Sequence, residues 1–329
     1  MSKGRIFSGM QPSGKFHLGN YMGALENWVK LQHDYECFFS IVDLHALTSA
    51  YADTSKIPEN IYNMALDWLS AGLDPEKNVI FVQSKVKEHA ELHLLLSMMT
   101  PLSWLERVPT YKDKLQQLGA QGKDINTYGF LGYPELMTAD IILYKAGFVP
   151  VGEDQLPHLE LAREITRRFN NLYSPIFPEP QGLMSEAAVL PGIDGRKMSK
   201  SYGNTIPFAS SPDELRERVR MIITDPQRIK RTDKGNPDVC IAFKFHTLFN
   251  KEEVLEIDQS CRSASIGCVE CKKRLAEKMV HIMGAMHVRR QEYEGKPEKI
   301  REILEAGTER ARKVAAATME EVRNAMHLQ

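Results

Sequence analysis

The sequence predicts an α/β protein: a parallel-sheet domain followed by an all-helical C-terminal part. Three observations predict it. Apolar strands alternate with helical segments through the first half of the chain, in the order that builds βαβ units. The strands are short continuous apolar runs, as expected where helices cover both faces of a sheet. Beyond about Ser201 the strand signals stop and helical spacing continues between polar turns.

Taken in order, residues 5–9 read as a short strand, 18–32 as a helix and 36–43 as a buried strand. Pro58 opens an amphipathic helix that sets Ile61, Ala65, Trp68 and Leu69 on or near one face, and 78–83 is the next apolar strand. Residues 119–126 carry two glycines among polar residues and read as an exposed loop; 128–144 returns to helical spacing, and 148–151 is a further strand. The last segment, from Pro297 to Leu328, places Ile300, Leu304, Ala311, Ala315, Val322 and Met326 along one stripe. With 329 residues, and roughly 100–200 residues per domain, two domains are expected, divided as 1–203 and 204–329.

Composition excludes several classes. Hydrophobic residues make up 43% and charged residues 26%, close to globular averages, which argues against disorder or a fibrous architecture. Lys plus Arg (42) balances Asp plus Glu (43), so no global basic field advertises a nucleic acid, and any RNA contact must be local. No apolar run reaches the roughly 20 residues that span a bilayer, and residues 1–4 lead straight into strand-like sequence; a cytoplasmic protein with no membrane partner is expected.

The chemistry-bearing residues form two groups far apart in sequence. The first strand runs into Gln11-Pro12-Ser13-Gly14-Lys15-Phe16-His17-Leu18-Gly19-Asn20 and then a helix. Such a junction offers unpaired N–H groups and the positive end of a helix dipole to a polyanion. Glycine spacing alone favours an ordinary βα turn. Downstream, Lys197-Met198-Ser199-Lys200-Ser201 follows the stretch Pro191-Gly192-Ile193-Asp194-Gly195-Arg196, which reads as flexible.

Together these strings resemble the two signatures of class I aminoacyl-tRNA synthetases, the first in its His-x-Gly-Asn form. The resemblance implies a Rossmann-like catalytic domain in which an amino-acid carboxylate attacks the α-phosphorus of ATP. His17, Gly19 and Asn20 would cradle the adenylate and phosphates, Gln11, Pro12 and Ser13 line the entry, and Lys197, Met198, Ser199, Lys200 and Ser201 follow the pyrophosphate. His17, Asn20, Lys197 and Lys200 are the implied catalytic set, with Mg²⁺ neutralising phosphate charge.

Three further strings are similar to the tryptophanyl branch of that family: Ile41-Val42-Asp43-Leu44-His45-Ala46, Tyr133-Pro134-Glu135-Leu136-Met137-Thr138-Ala139-Asp140 and Val151-Gly152-Glu153-Asp154-Gln155. A helix through this middle string puts Asp140 beside apolar positions, where an unpaired carboxylate is costly. The indole N–H is a donor only, so a tryptophan site needs a buried acceptor. The resemblance makes Asp140 that acceptor, with Met137 on the ring, Tyr133 and Gln155 on the α-amino group, and Phe7, Val42 and His45 as pocket walls. An Asp paired to a nearby Lys or Arg is the plainer alternative. By the same resemblance Gly152, Glu153 and Asp154 orient ribose and adenine, Leu190 touches the base, and Lys114 falls near the family's ATP-binding lysine. The implied partners are L-tryptophan and tRNA(Trp), with the chain acting as a homodimer. A tyrosyl-tRNA synthetase and a non-catalytic tryptophan- or RNA-binding paralogue are the competing readings.

Five cysteines in a reducing compartment do not suggest a disulfide framework. Cys37 sits alone in an apolar strand, whereas Cys240, Cys261, Cys268 and Cys271 crowd one stretch. Four soft thiolates suit Zn²⁺ or a [4Fe–4S] cluster. Only Cys268 and Cys271 form a Cys-x-x-Cys knuckle, and the pattern resembles a bacterial subset of the family, which favours the cluster; four unligated core thiols are the plainer alternative. Lys272, Lys273 and Arg274, and the run from Arg228 to Arg231, could meet tRNA phosphates or be solvated helix faces.

Overall fold

The computed structural model describes residues 4–109, 111, 112, 115, 125–184 and 190–328; Lys114 and most of the 119–126 loop lie outside them. Among the described residues the strands are β1 (Arg5–Met10), β2 (Glu36–Ile41), β3 (Val79–Val82), β4 (Phe148–Val151) and β5 (Gln181–Met184), in one sheet of order β3-β2-β1-β4-β5. Every pairing is parallel. Side chains alternate across it: Phe7, Phe38 and Phe81 enter one core, and Ile6, Phe39, Ile41 and Ile80 the other. Both faces are apolar because helices cover both, which is why the strands lack polar alternation.

The helices are α1 (Leu18–Asn20), α2 (Glu26–Leu31), α3 (Asp43–Ala50), α4 (Ile57–Ala71), α5 (Glu88–Ser97), α6 (Leu102–Glu106), α7 (Tyr128–Leu131), α8 (Tyr133–Leu143), α9 (Leu156–Leu172), α10 (Pro212–Met221), α11 (Ile241–Phe249), α12 (Val254–Arg262), α13 (Cys268–Tyr293) and α14 (Pro297–Ala325). The helix expected over 18–32 is divided by a widened π-turn at Tyr21–Leu25. The strand expected over 36–43 stops at Ile41. Asp43 turns the chain there: its carboxylate accepts from the Leu44 and Ser84 amides and the Ser84 hydroxyl, tying the ends of β2 and β3 together. The helix expected over 128–144 breaks at Gly132, with Pro134 in the first turn of α8. Strand β5 and helix α3 were not foreseen.

After Met184 the described residues hold no strand. Helices α10, α11 and α13 enclose a third core of Leu215, Val219, Phe245, Leu275, Met279 and Met283, joined by Leu18, Leu190, Met198 and Ile206. The last helix returns to the sheet. Ile300 packs in one of the sheet's cores and Ala311, Ala315, Met319 and Val322 in the other, so α14 passes along the outermost strand β3 from face to face. Contact there is backbone-close: a Cβ on Gly307 would sit 1.9 Å from the Ile80 carbonyl oxygen. Arg310 donates to the Pro75 and Asn78 carbonyls beside it. An edge strand otherwise open to pairing is thereby covered. No described helix is long and apolar enough to cross a membrane.

Strand order reverses between β1 and β4, and in open parallel sheets ligands bind in the crevice beyond the strand ends at such a point.

Candidate active site

Two adjoining cavities open at that crevice. Both are lined by Ser8 and Gly9 near the end of β1, by Pro150 and Val151 at the end of β4, and by Asp154 and Gln155 after it. The smaller, about 360 Å³, is closed by Phe7, Val42, His45, Tyr133, Met137, Asp140 and Gln155, so every residue expected to hold the amino acid lines a single pocket, joined by Gln11 and His158. The larger, about 860 Å³, takes Gly152, Glu153 and Asp154 together with Met10, Gly23, Asn27 and Met184. Leu190 lies elsewhere, buried against the Leu18 and Met198 core.

Asp140, 1% exposed, is held by three side chains. His89 Nδ1 stands 2.6 Å from Oδ1 and His45 Nε2 2.9 Å from Oδ2, and the Gln83 amide donates to both oxygens at 2.7 and 2.9 Å. Gln83 is itself oriented, because its carbonyl accepts from the Leu44 amide. Beyond it, His89 Nε2 meets the Tyr144 hydroxyl at 2.7 Å. Burial pushes the Asp140 pKa up, but the His89 charge and hydrogen bonds from His45 and His89 outweigh it and bring the carboxyl to about 2. The pocket thus contains a buried anion used as a pure acceptor, not the Lys or Arg ion pair of the plainer alternative. Gln83, His89 and Tyr144 escaped sequence reasoning because they come from three separate elements. At the far wall the Tyr133 hydroxyl engages His158 Nε2 at 2.7 Å, and Gln155 donates to Asp154.

The two distant signature segments meet. The Leu18 amide donates to the Ile206 carbonyl at 2.8 Å and the Phe208 amide to the Phe16 carbonyl at 3.1 Å, so 16–18 and 206–208 pair as antiparallel chains. Lys200 Nζ donates to the Ser13 carbonyl at 2.8 Å, beside Gly14, whose φ of +91° is a conformation that favours glycine. Gly19 faces the Met198 sulfur. His17 and Asn20 cap α1 reciprocally: the Asn20 amide donates to His17 Nδ1, and the Asn20 side chain accepts from the His17 amide. Because Nδ1 accepts, the imidazole proton lies on Nε2. Burial, then the Lys200 charge, lowers the His17 pKa to about 4, so the ring is a neutral donor at pH 7.

The 191–196 stretch, which reads as flexible in sequence, is a pinned turn. Pro191 bridges Lys197, and Asn204 joins three strings: its amide donates to Asp194 and to the Lys197 carbonyl while its oxygen accepts from the Ser199 amide. Sequence reasoning also missed Asn204. The side chain of Ser201 lies outside the described residues.

The four clustered cysteines converge. Each of the six pairs among Cys240, Cys261, Cys268 and Cys271 is close enough for one thiolate to disfavour the next; burial first, and then its three neighbours, push the Cys271 thiol up to about 12. The Arg228 guanidinium reaches Cys261 Sγ at 3.8 Å, and His246 Nε2 lies 3.3 Å from Cys271 Sγ. Among the described residues no group of three or more His, Cys, Asp or Glu side chains is arranged to hold a metal ion. Cys37 is a buried thiol of β2. Several cations considered for RNA contact are engaged within the fold: Arg228 donates to the Arg231 and Ile266 carbonyls, Lys272 to Arg220 and Ile222, and Arg274 pairs with Glu256. Lys230, Arg231 and Lys273 stay exposed.

Comparison with known proteins shows the family of the chain. The family model for class I tRNA synthetases (W and Y) matches residues 2–284. The chain is 51% identical to the tryptophan–tRNA ligase of Thermotoga maritima, over 98% of this chain and 99% of that protein. It is 44% identical to the tryptophan–tRNA ligase of Aquifex aeolicus, over 98% and 100%. Its fold matches the crystal structure of Campylobacter jejuni tryptophanyl-tRNA synthetase complexed with ADP and tryptophan, with a TM-score of 0.88, 37% identity and coverage of 98% and 100%.

Proposed function

Because this chain belongs to the class I tRNA synthetases of the W and Y family, we infer that it activates L-tryptophan with ATP and transfers it to tRNA(Trp). One observation carries the site-level reading: the His17 turn and the Lys200 segment are joined by main-chain and side-chain hydrogen bonds beside a pocket whose floor is a buried anionic acceptor. A tyrosine enzyme is disfavoured by full-length identity to tryptophan ligases, and a non-catalytic paralogue by the intact signature lysines.

In this reading the indole fills the 360 Å³ pocket, its N–H donating to Asp140 and its face against Met137 and Phe7. Three side chains make four hydrogen bonds to Asp140, as many as a carboxylate's roughly four lone-pair sites accept, so the indole N–H takes the place of one of them. Tyr133 and Gln155 hold the α-ammonium. The adenosine occupies the larger cavity, with Gly152, Glu153 and Asp154 along it and Gly23 and Asn27 opposite. The tryptophan carboxylate oxygen attacks the α-phosphorus, the bond to the bridging oxygen breaks, and pyrophosphate leaves. Negative charge grows on the α-phosphate and the leaving group; Nε2–H of neutral His17, the α1 N-terminus, Lys197 and Lys200 stabilise it. Mg²⁺ carried on the nucleotide supplies further neutralisation. A terminal ribose hydroxyl of the tRNA then attacks the activated carbonyl and AMP departs.

The four cysteines support a [4Fe–4S] site. Four soft thiolates suit the cluster, and only Cys268 and Cys271 form a Cys-x-x-Cys knuckle, of which zinc ribbons usually offer two. Burial raises the thiol pKa of Cys240, Cys261 and Cys271, and binding iron would ionise them. Cys240, Cys261, Cys268 and Cys271 would be the ligands. About four iron atoms per chain, with absorbance near 400 nm, is the expected result; stoichiometric zinc in a colourless protein overturns it. For self-association, the exposed apolar side chains Leu94 of α5, Met98 just after it and Leu102 of α6, 54%, 71% and 61% exposed, are the proposed contacts. The 204–329 part, with exposed Lys230, Arg231 and Lys273, is the proposed tRNA-facing unit.

Amino-acid-dependent ATP–pyrophosphate exchange across all twenty substrates tests the function. Exchange with tryptophan at least roughly 10³-fold above tyrosine or phenylalanine is expected; preference for tyrosine overturns the reading.

A further inference from the structure

Behind the His17 turn lies a charged group that the reaction above does not use. Asp67 of α4 is 2% exposed, in a helix face otherwise filled by Met64, Ala65, Trp68 and Leu69. Its Oδ2 accepts from the Phe16 amide at 3.1 Å, one residue before His17. Its Oδ1 is paired with Arg290 Nη1, from the last turns of α13. The Lys200 charge also acts on the same carboxylate, and Lys200 spans to the Ser13 carbonyl in the first signature. One buried anion therefore touches the backbone of the first signature, faces the lysine of the second, and is neutralised by a guanidinium from the C-terminal helical part.

A carboxylate in that position has a large desolvation cost unless it is paired. Without Arg290, the other cation whose charge acts on Asp67 is Lys200, and its ammonium would be drawn off the path of the nucleotide phosphates. With Arg290 in place, Asp67 is satisfied from behind, its second oxygen fixes Phe16, and Lys200 keeps its station at the Ser13 carbonyl. We propose that Asp67 and Arg290 are positioning residues for adenylate formation: their ion pair sets the first signature turn and leaves Lys200 available to the ATP polyphosphate. The same pair ties α13 to the nucleotide site, so seating of the helical part and ATP binding are coupled through it.

The inference rests on the reading of the Lys200 segment as polyphosphate-binding. The neighbouring Arg289 supplies a control. It donates to the Ser70 and Ala71 carbonyls, holding α13 to the end of α4 by contacts of equal reach that do not involve Asp67. Tryptophan-dependent pyrophosphate exchange is measured on the full chain. Arg290→Ala is expected to raise KM for ATP roughly tenfold or more while KM for tryptophan stays within about twofold. Arg290→Lys should recover most of the loss, and Arg289→Ala should leave KM for ATP within about twofold. An unchanged KM for ATP in Arg290→Ala, a parallel rise in both constants, or an equal ATP defect in Arg289→Ala overturns the proposal. If Arg290→Ala does not fold by circular dichroism, Arg290→Gln, which removes the charge but keeps a donor for Asp67, carries the same expectation and the same contradictions. Absence of tryptophan-dependent exchange in the wild-type protein would instead count against the functional reading itself.

Discussion

Asp140 shows how far a single residue can be read before its neighbours are known. Its place on an apolar helix face already demanded a partner; which partners came only with the fold, since Gln83 and His89 lie 57 and 51 residues away. With those donors satisfied by an anion, Asp140→Asn replaces an acceptor by a group that also presents donors to them. We expect kcat/KM for tryptophan in the exchange reaction to fall roughly 100-fold, with KM for ATP within about twofold. Equal losses for both substrates would contradict Asp140 as the indole acceptor. Glu135, five residues earlier, is the opposite case. It is 2% exposed, and among the described residues its Oε1 has no hydrogen-bond partner. Burial raises its pKa from 4.5 to about 7, with a Thr100 hydrogen bond working the other way. A raised folded-state pKa gives a contribution that is complete below pH about 4.5 and is lost as pH rises through about 7. Glu135→Gln should therefore raise Tm relative to wild type at about pH 8 and change it little at about pH 4.5, measured by calorimetry. The same difference at both pH values would show that the carboxyl is not neutral in the folded protein.

At the scale of elements, strands β1 to β4 were legible because a sheet covered on both faces writes itself as apolar runs. Strand β5 was not, since Gln181, Gly182 and Met184 are exposed at the sheet's other edge and carry no such signal. Helix α3 begins at the residue that read as the end of a strand, and the turn at Asp43 depends on Ser84, a partner from the turn after β3. The last helix was foreseen with the correct stripe of Ile300, Ala311, Ala315 and Val322, but not its seat on β3. That seat depends on Gly307. Gly307→Ala would normally stabilise a helix, yet here the methyl meets the Ile80 carbonyl, and we expect a net cost of about 1–3 kcal/mol by urea denaturation. A gain in stability would show that α14 is not held against the strand backbone.

Across the whole molecule, the site is assembled by parts that lie far apart in sequence. Leu18 and Ile206, Phe16 and Phe208, and Ser13 and Lys200 join the N-terminal turn to the segment nearly 200 residues later. A shared core of Leu18, Leu190, Met198 and Ile206 with Val219 and Leu275 then fastens both to the helical part. The motifs were readable because their chemistry fixes residue type and order. Asn204, Asp67 and Arg290, which hold the motifs in place, were not, since a hydrogen-bond partner leaves no periodic trace in sequence. Lys200→Ala tests most directly whether the two segments act on one triphosphate beside the indole pocket. The kcat of tryptophan-dependent pyrophosphate exchange should fall roughly 100-fold or more, while tryptophan Kd by equilibrium dialysis stays within about twofold. Exchange at the wild-type rate would contradict it.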